Sequence, residues 1–151
     1  TLELKRKANQ LGWKIQYPVP VAFDLGAITW HELIGQLREH VDGRLAVCLS
    51  YTDQPALLNS FTREYYESVD RQVRVTVDYD QCAWDQITYP APNLWFKTPG
   101  QDRAIIEVKS DSRLHRRVSN VVSSFPFRVE RNSKYVSGML SSLSSLSSGV
   151  R

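Results

Sequence analysis

The stretch Arg74-Val75-Thr76-Val77-Asp78-Tyr79-Asp80, RVTVDYD, decides how the rest of this chain is read. Successive side chains of an extended segment point to opposite faces, so Arg74, Thr76, Asp78 and Asp80 fall on one side and Val75, Val77 and Tyr79 on the other. The polar side is either wet or the lining of something. For one strand taken alone, the simpler reading is an antiparallel sheet with water on one face and helices on the other.

The same alternation recurs along the chain, and that shifts the balance. Glu3, Lys5 and Lys7 oppose Leu2 and Leu4, Glu107 and Lys109 oppose Ile106 and Val108, and Arg63 stands in a strand beside Phe61 and Tyr65. Several strands therefore carry mixed charge on one face and apolar residues on the other. If such a sheet curls, the charged faces converge on a lumen and the apolar faces lie beneath helices. The expected fold is α+β, an antiparallel β-barrel with helices packed outside. Cations facing a lumen need carboxylates or a bound anion to offset their lost hydration. The carboxylates on these faces, Glu3, Asp78 and Glu107, are fewer than the cations. The surplus suits a polyanion, and the carboxylates suit a divalent cation bound to it.

Outward from this strand, TLELKRK reads as a strand ending near the turn-forming Asn9–Gly12, and it opens at Thr1 with no preceding cap, as the later part of something longer would. The run from Trp13 to Phe23 is interrupted by Pro18 and Pro20, which makes it an edge or an irregular segment. AITWHELIGQLREHVDG predicts a helix: Thr29 and Glu32 form a capping box, Leu33, Leu37 and Val41 share a stripe, and Gly43 ends it. From Arg44 the pattern is mainly β: RLAVCLSY, PALLNSFTREYY, QVRVTVDYDQCAW and, after a loop holding Pro90, Pro92 and Pro99, RAIIEVKS. Turn signals at Asp53–Pro55 and Ser68–Asp70 lie at hairpin distances, so neighbouring strands are expected to be antiparallel. DSRLHRRVSNVVSSF predicts a helix, and another begins near Asn132 or Ser133. The serine-rich end makes residues 141–151 a tail expected to fray, leaving 1–140 as the folded part.

Composition narrows the function classes. The chain has 151 residues, 42% hydrophobic and 23% charged, which is enough for one compact domain with a core. It contains no apolar run long enough to span a bilayer and no signal-peptide pattern at its start. Cys48 and Cys82 lack metal or redox spacing and read as buried thiols. His31, His40 and His115 lack the spacing of a ligand pair. Trp13, Trp30, Trp84 and Trp95 are scattered, as core residues rather than stacking platforms for a nucleic acid polymer. The net charge of +3 is carried mostly by arginine, which suits carboxylate or phosphate partners.

LELKRK followed by GWK, then FTREYY, VRVTVDYD, IIEVKSD and NSKYVSGM, resembles the later strands and last helix of the VTC (vacuolar transporter chaperone) type polyphosphate polymerase domain, one of the triphosphate tunnel or CYTH-like proteins. The resemblance covers about Thr1 to Met139 and rests on the order and combination of these motifs. It implies a tunnel in which the γ-phosphoryl of ATP moves onto a polyphosphate chain. The alternatives it leaves open are a triphosphate hydrolase and a non-catalytic module that binds polyphosphate or another polyanion.

Carried over residue by residue, the resemblance implies that Lys5, Lys14, Arg63, Arg74, Lys109 and Lys134 bind phosphate, with Arg63, Arg74 and Lys134 serving transfer directly. Glu107 is the implied ligand of Mn²⁺ or Mg²⁺. The family's first strand and its following arginine-rich strand have no counterpart here, so the expected tunnel is incomplete at its N-terminal side and its open sheet edges invite self-association. A cytoplasmic setting is expected, with tethering to a membrane through segments outside this chain as the alternative.

Overall fold

A computed structural model describes residues 1–8, 11–20, 22–52, 54–98 and 102–147. The turn residues Asn9 and Gln10, Asp53 of the next turn signal, Pro99 and residues 148–151 of the tail lie outside them. The chain divides into two compact units, Thr1–Ala56 with Gln86–Leu94, and Leu57–Asp85 with Trp95–Arg151.

In the first unit, β1 (Leu2–Ala8) pairs antiparallel with β2 (Leu11–Tyr17), setting Glu3 opposite Gln16 and Lys5 opposite Lys14. The strand stops one residue short of Pro18, which has no N–H to continue the ladder. Helix α1 (Trp30–Arg38) begins as expected, with the Thr29 hydroxyl accepting from the Glu32 N–H and the Glu32 carboxylate accepting from the Thr29 N–H. Trp30, Leu33 and Ile34 are its buried face.

The next segment departs from expectation. RLAVCLSY is not a strand: Gly43–Ser50 forms helix α2, with Leu45 and Leu49 buried one turn apart. A short apolar run satisfies either period, and here the four-residue spacing of Leu45 and Leu49 prevails. Gly43 begins this helix, at φ +54°, rather than closing α1. Cys48 is exposed on α2 and Cys82 half-buried, so neither is the fully buried thiol expected. The Arg38 guanidinium donates to the Leu49 carbonyl through Nε and Nη2, satisfying an end carbonyl of α2. Buried Gln86 and Asn93 bond to each other through the Gln86 side chain and the Asn93 backbone, which closes the Gln86–Leu94 segment.

The second unit is a three-stranded antiparallel sheet, β3 (Leu57–Glu67), β4 (Val73–Asp85) and β5 (Ile105–Ser110), with β4 in the middle. Its register follows from the β3–β4 turn. Ser68 exchanges backbone and side-chain bonds with Val73, Asp70 accepts from the Gln72 N–H, and Arg71 takes the left-handed conformation at φ +58°. That turn sets Glu67 opposite Arg74, Tyr65 opposite Thr76, and Arg63 opposite Asp78. On the other side Arg74 faces Lys109 and Thr76 faces Glu107.

A β-bulge interrupts β4 between the Thr62–Tyr79 and Ser60–Cys82 pairs, with Asp80 at φ +52°. The alternation read from RVTVDYD therefore ends at Tyr79, and Asp80 is not a fourth member of the row Arg74, Thr76, Asp78. One extra residue reverses which side chains face which way. Beyond the bulge, Ala83 rather than Trp84 shares the face of Asp78.

Helix α3 (His115–Ser123) follows a 3₁₀ turn at Ser112–Leu114, and its Val118 and Val122 line a hollow with Ile106 and Val108. Helix α4 (Lys134–Ser147) begins where the last helix was expected. It runs seven residues into the stretch expected to fray, and it lies on the charged face of the sheet rather than on the apolar one. Its inward row is small: a Cβ on Gly138 would stand 3.3 Å from Ala83 Cβ, and Ser142, one turn on, is buried. Serine and glycine let the helix axis approach the strands closely, while Val136, Leu140 and Leu143 stay exposed on its outer side. Trp30 is the one tryptophan that is a fully buried core residue; Trp13 is exposed and Trp95 is 84% exposed.

Candidate functional site

The chemistry-bearing residues of the second unit gather on one face. Strand alternation and register put Arg63, Tyr65, Arg74, Thr76, Asp78, Glu107 and Lys109 on the same side of the sheet, and α4 adds Lys134. At the centre of the cluster Asp78 is 0% exposed. Its Oδ1 accepts from Arg63 Nε at 2.5 Å, its Oδ2 accepts from Arg63 Nη2 at 2.7 Å, and Lys134 Nζ donates to the same Oδ2. The Phe61 ring lies beneath both cations, 4.9 Å from the Arg63 guanidinium carbon and 4.6 Å from Lys134 Nζ, and the Tyr65 ring flanks Arg63 at 5.7 Å.

Charge explains this geometry. A carboxylate removed from water survives as an anion only when cations or donors replace its hydration. The Arg63 fork foremost, and Lys134 after it, hold the Asp78 carboxyl down at a pKa of about 2, and Asp78 in turn raises the pKa of Arg63. The rings add quadrupole attraction for both cations. Two cations on one carboxylate leave one net positive charge. Arg63 spends two of its five N–H groups on Asp78 and also meets the Tyr65 side chain, which still leaves donors on it for another acceptor, and Lys134 has donors to spare. Asp78 is the anchor that aims two cations.

Arg74 is exposed and has no ion-pair partner among the described residues, whereas Lys109 Nζ is 2.9 Å from Glu107 Oε2. Glu107 keeps nearly half of its side chain exposed. Among the described residues no three His, Cys, Asp or Glu side chains converge as a metal site. A divalent cation at Glu107 would therefore draw its other ligands from phosphate oxygens and water, which is the common arrangement for Mg²⁺ at phosphate-transfer sites; the donor set fits it.

In the first unit the Glu3 carboxylate accepts from Lys5 at 2.8 Å, from Lys14 at 3.0 Å and from Gln16 Nε2 at 2.7 Å. Lys5 foremost, with Lys14, depresses its pKa to about 2. The pattern repeats that at Asp78: one carboxylate, two cations, one positive charge to spare.

Sequence reasoning missed Thr76. It is 2% exposed, and its hydroxyl has no hydrogen-bond partner among the described residues, between Tyr65 on one neighbouring strand and Glu107 on the other. The signal was present in the polar row of RVTVDYD, but a threonine in a strand is ordinary by propensity alone.

No helix among the described residues is long and apolar enough to cross a membrane. No curated protein and no solved structure matches the chain significantly. The family model described as VTC domain matches residues 2–143. With nearly the whole chain inside that match, and with carboxylate-anchored cations on the strand faces where the motifs lie, this chain belongs to the VTC domain family, the triphosphate-tunnel, CYTH-like polyphosphate polymerase domains.

Proposed function

We propose that the charged face of this chain binds the phosphates of ATP and of a growing polyphosphate, and that it serves transfer of the ATP γ-phosphoryl to the polymer end within a barrel-like tunnel. The observation that carries this reading is the meeting of Arg63 and Lys134 on buried Asp78, with positive charge and N–H donors left over. A structural ion pair would need one cation for that carboxylate; the second is surplus unless an anion uses it.

Phosphoryl transfer asks a protein mainly to align the reacting groups and to stabilise charge spread over the phosphoryl oxygens. Asp78 fixes Arg63 and Lys134 before any ligand arrives, so no reorganisation is needed on binding. Arg74 offers a free guanidinium for a paired contact with phosphate oxygens, and Lys109 offers a point charge once Glu107 is otherwise engaged. In the first unit, Lys5 and Lys14 are held by Glu3 in the same manner and bind phosphate in their own right. Glu107 would hold Mn²⁺ or Mg²⁺, which when bound would screen the negative charge of the transferring group. The attacking group is itself an anionic phosphate, so the chain needs no general base.

Incubation of the intact protein with ATP and Mn²⁺, followed by sizing of the phosphate products, tests the reading. Polyphosphate is the expected product. Free phosphate alone would make the protein a triphosphate hydrolase, and tight tripolyphosphate binding without turnover would make it a polyanion-binding module.

A further inference from the structure

The buried hydroxyl of Thr76 has no hydrogen-bond partner among the described residues. It sits in the middle of the charged face, between Arg74 and Asp78 along β4 and between Tyr65 and Glu107 across the sheet. An unsatisfied buried hydroxyl is costly, and a valine of the same shape would remove that cost. Directly opposed residues on one face of an antiparallel pair have their Cβ atoms about 5 Å apart, within reach of a threonine hydroxyl and a glutamate carboxylate. Glu107 leans to Lys109 instead.

We propose that Thr76 is a positioning residue: its hydroxyl donates to the Glu107 carboxylate when that group leaves Lys109 for a divalent cation. This rests on the metal role proposed above for Glu107. Release from Lys109 would otherwise free a flexible side chain at the moment it must hold a fixed direction. A donor on one carboxylate oxygen leaves the other aimed at the cation, the usual service of an outer partner to a metal-bound carboxylate. The hydroxyl thus lacks a partner while Glu107 is paired with Lys109 and gains one when Glu107 turns to the cation.

The test compares Thr76→Val, Thr76→Ser and Glu107→Gln in the intact protein, using tripolyphosphate titrated by calorimetry with and without Mn²⁺. The readout is the ratio of the two dissociation constants, which packing damage leaves unchanged because it weakens both. In Glu107→Gln the ratio should collapse toward one. In Thr76→Val it should fall about tenfold, the worth of one hydrogen bond to a charged group, while the thermal midpoint holds or rises. Thr76→Ser should keep most of the ratio. A normal ratio in Thr76→Val beside a collapsed one in Glu107→Gln overturns the role of Thr76 alone, as does an equal fall in Thr76→Val and Thr76→Ser. A normal ratio in Glu107→Gln overturns the metal reading and this inference with it.

Discussion

Gly138 of α4 lies so close to Leu57 of β3 that a Cβ at this position would come within 2.6 Å of Leu57 Cδ2. Ala83 Cβ bounds the same spot at 3.3 Å. Alanine would gain about 1 kcal/mol of helix propensity over glycine, and Leu57 can swing its terminal methyl, so Gly138→Ala is expected to change stability by less than about 1 kcal/mol. Gly138→Leu has no such escape, because Ala83 is short and fixed to the strand. It should cost about 1–3 kcal/mol by overpacking, read as a lower urea midpoint with an unchanged slope. Lifting α4 also draws Lys134 from Asp78, so tripolyphosphate affinity should fall with it.

Asp78 offers a sharper test of the anchor. Removing its charge leaves Arg63 and Lys134 facing each other over Phe61, and breaking a buried pair typically costs about 3 kcal/mol or more; both side chains keep some exposure, so the lower end is expected for Asp78→Asn. The pH dependence has a definite sign. The folded carboxyl titrates near 2, below its ordinary 3.8, so the folded chain binds the proton less readily than the unfolded one. The stability it contributes is present above about pH 4 and is lost as the pH falls toward 2. Wild type should lose stability steeply through that window and Asp78→Asn should lose less, measured by urea unfolding at stepped pH.

The strands of this chain were legible because a period of two with charge on one side has few competitors. The Arg63–Asp78 pair was not, since it depends on the register set by Ser68–Gln72 with Arg71 in a left-handed conformation, and no propensity marks an arginine for that role. The bulge at Asp80 was hidden for the same reason. RLAVCLSY failed as a strand because five apolar residues fit a helix face equally well. The docking of α4 was not legible in hydrophobic pattern, because Val136, Leu140 and Leu143 stay exposed and the face that meets the sheet is made of Gly138 and Ser142. Lys134 was expected at the phosphates from resemblance alone; its partnership with Arg63 required the helix to lie where the pattern did not put it.

Strands β3 and β5 each have one side without a pairing strand among the described residues, and Ile106 on β5 is exposed. Unpaired edges recruit other strands. The 151-residue chain expressed alone should therefore self-associate, with sedimentation coefficients that rise across a concentration series. Ile106→Lys places a charge on the β5 edge and should suppress association, with some fall in the urea midpoint because Ile106 also lines the hollow beneath Val118 and Val122. Equal association of this variant and the parent chain would move the contact to the exposed row Val136, Leu140 and Leu143.

Arg74 and Glu107 share a face but are expected to fail differently when replaced. Arg74 is an unpaired guanidinium, so Arg74→Ala should weaken tripolyphosphate binding with or without metal by about 1.5–3 kcal/mol, on the order of tenfold to a hundredfold. Arg74→Lys should recover only part of this, because a point charge cannot reproduce a two-pronged contact. Glu107→Gln keeps the size and removes the anion. Binding without metal should then persist or tighten slightly, since Lys109 is released from its partner at 2.9 Å and becomes available to phosphate. Turnover in Mn²⁺ should fall steeply in the same variant. Separate titrations of Mn²⁺ and tripolyphosphate against each variant decide the matter: equal losses of both ligands in both variants would reduce Arg74 and Glu107 to structural charges of the sheet, whereas opposite selectivity assigns phosphate to the first and the metal to the second.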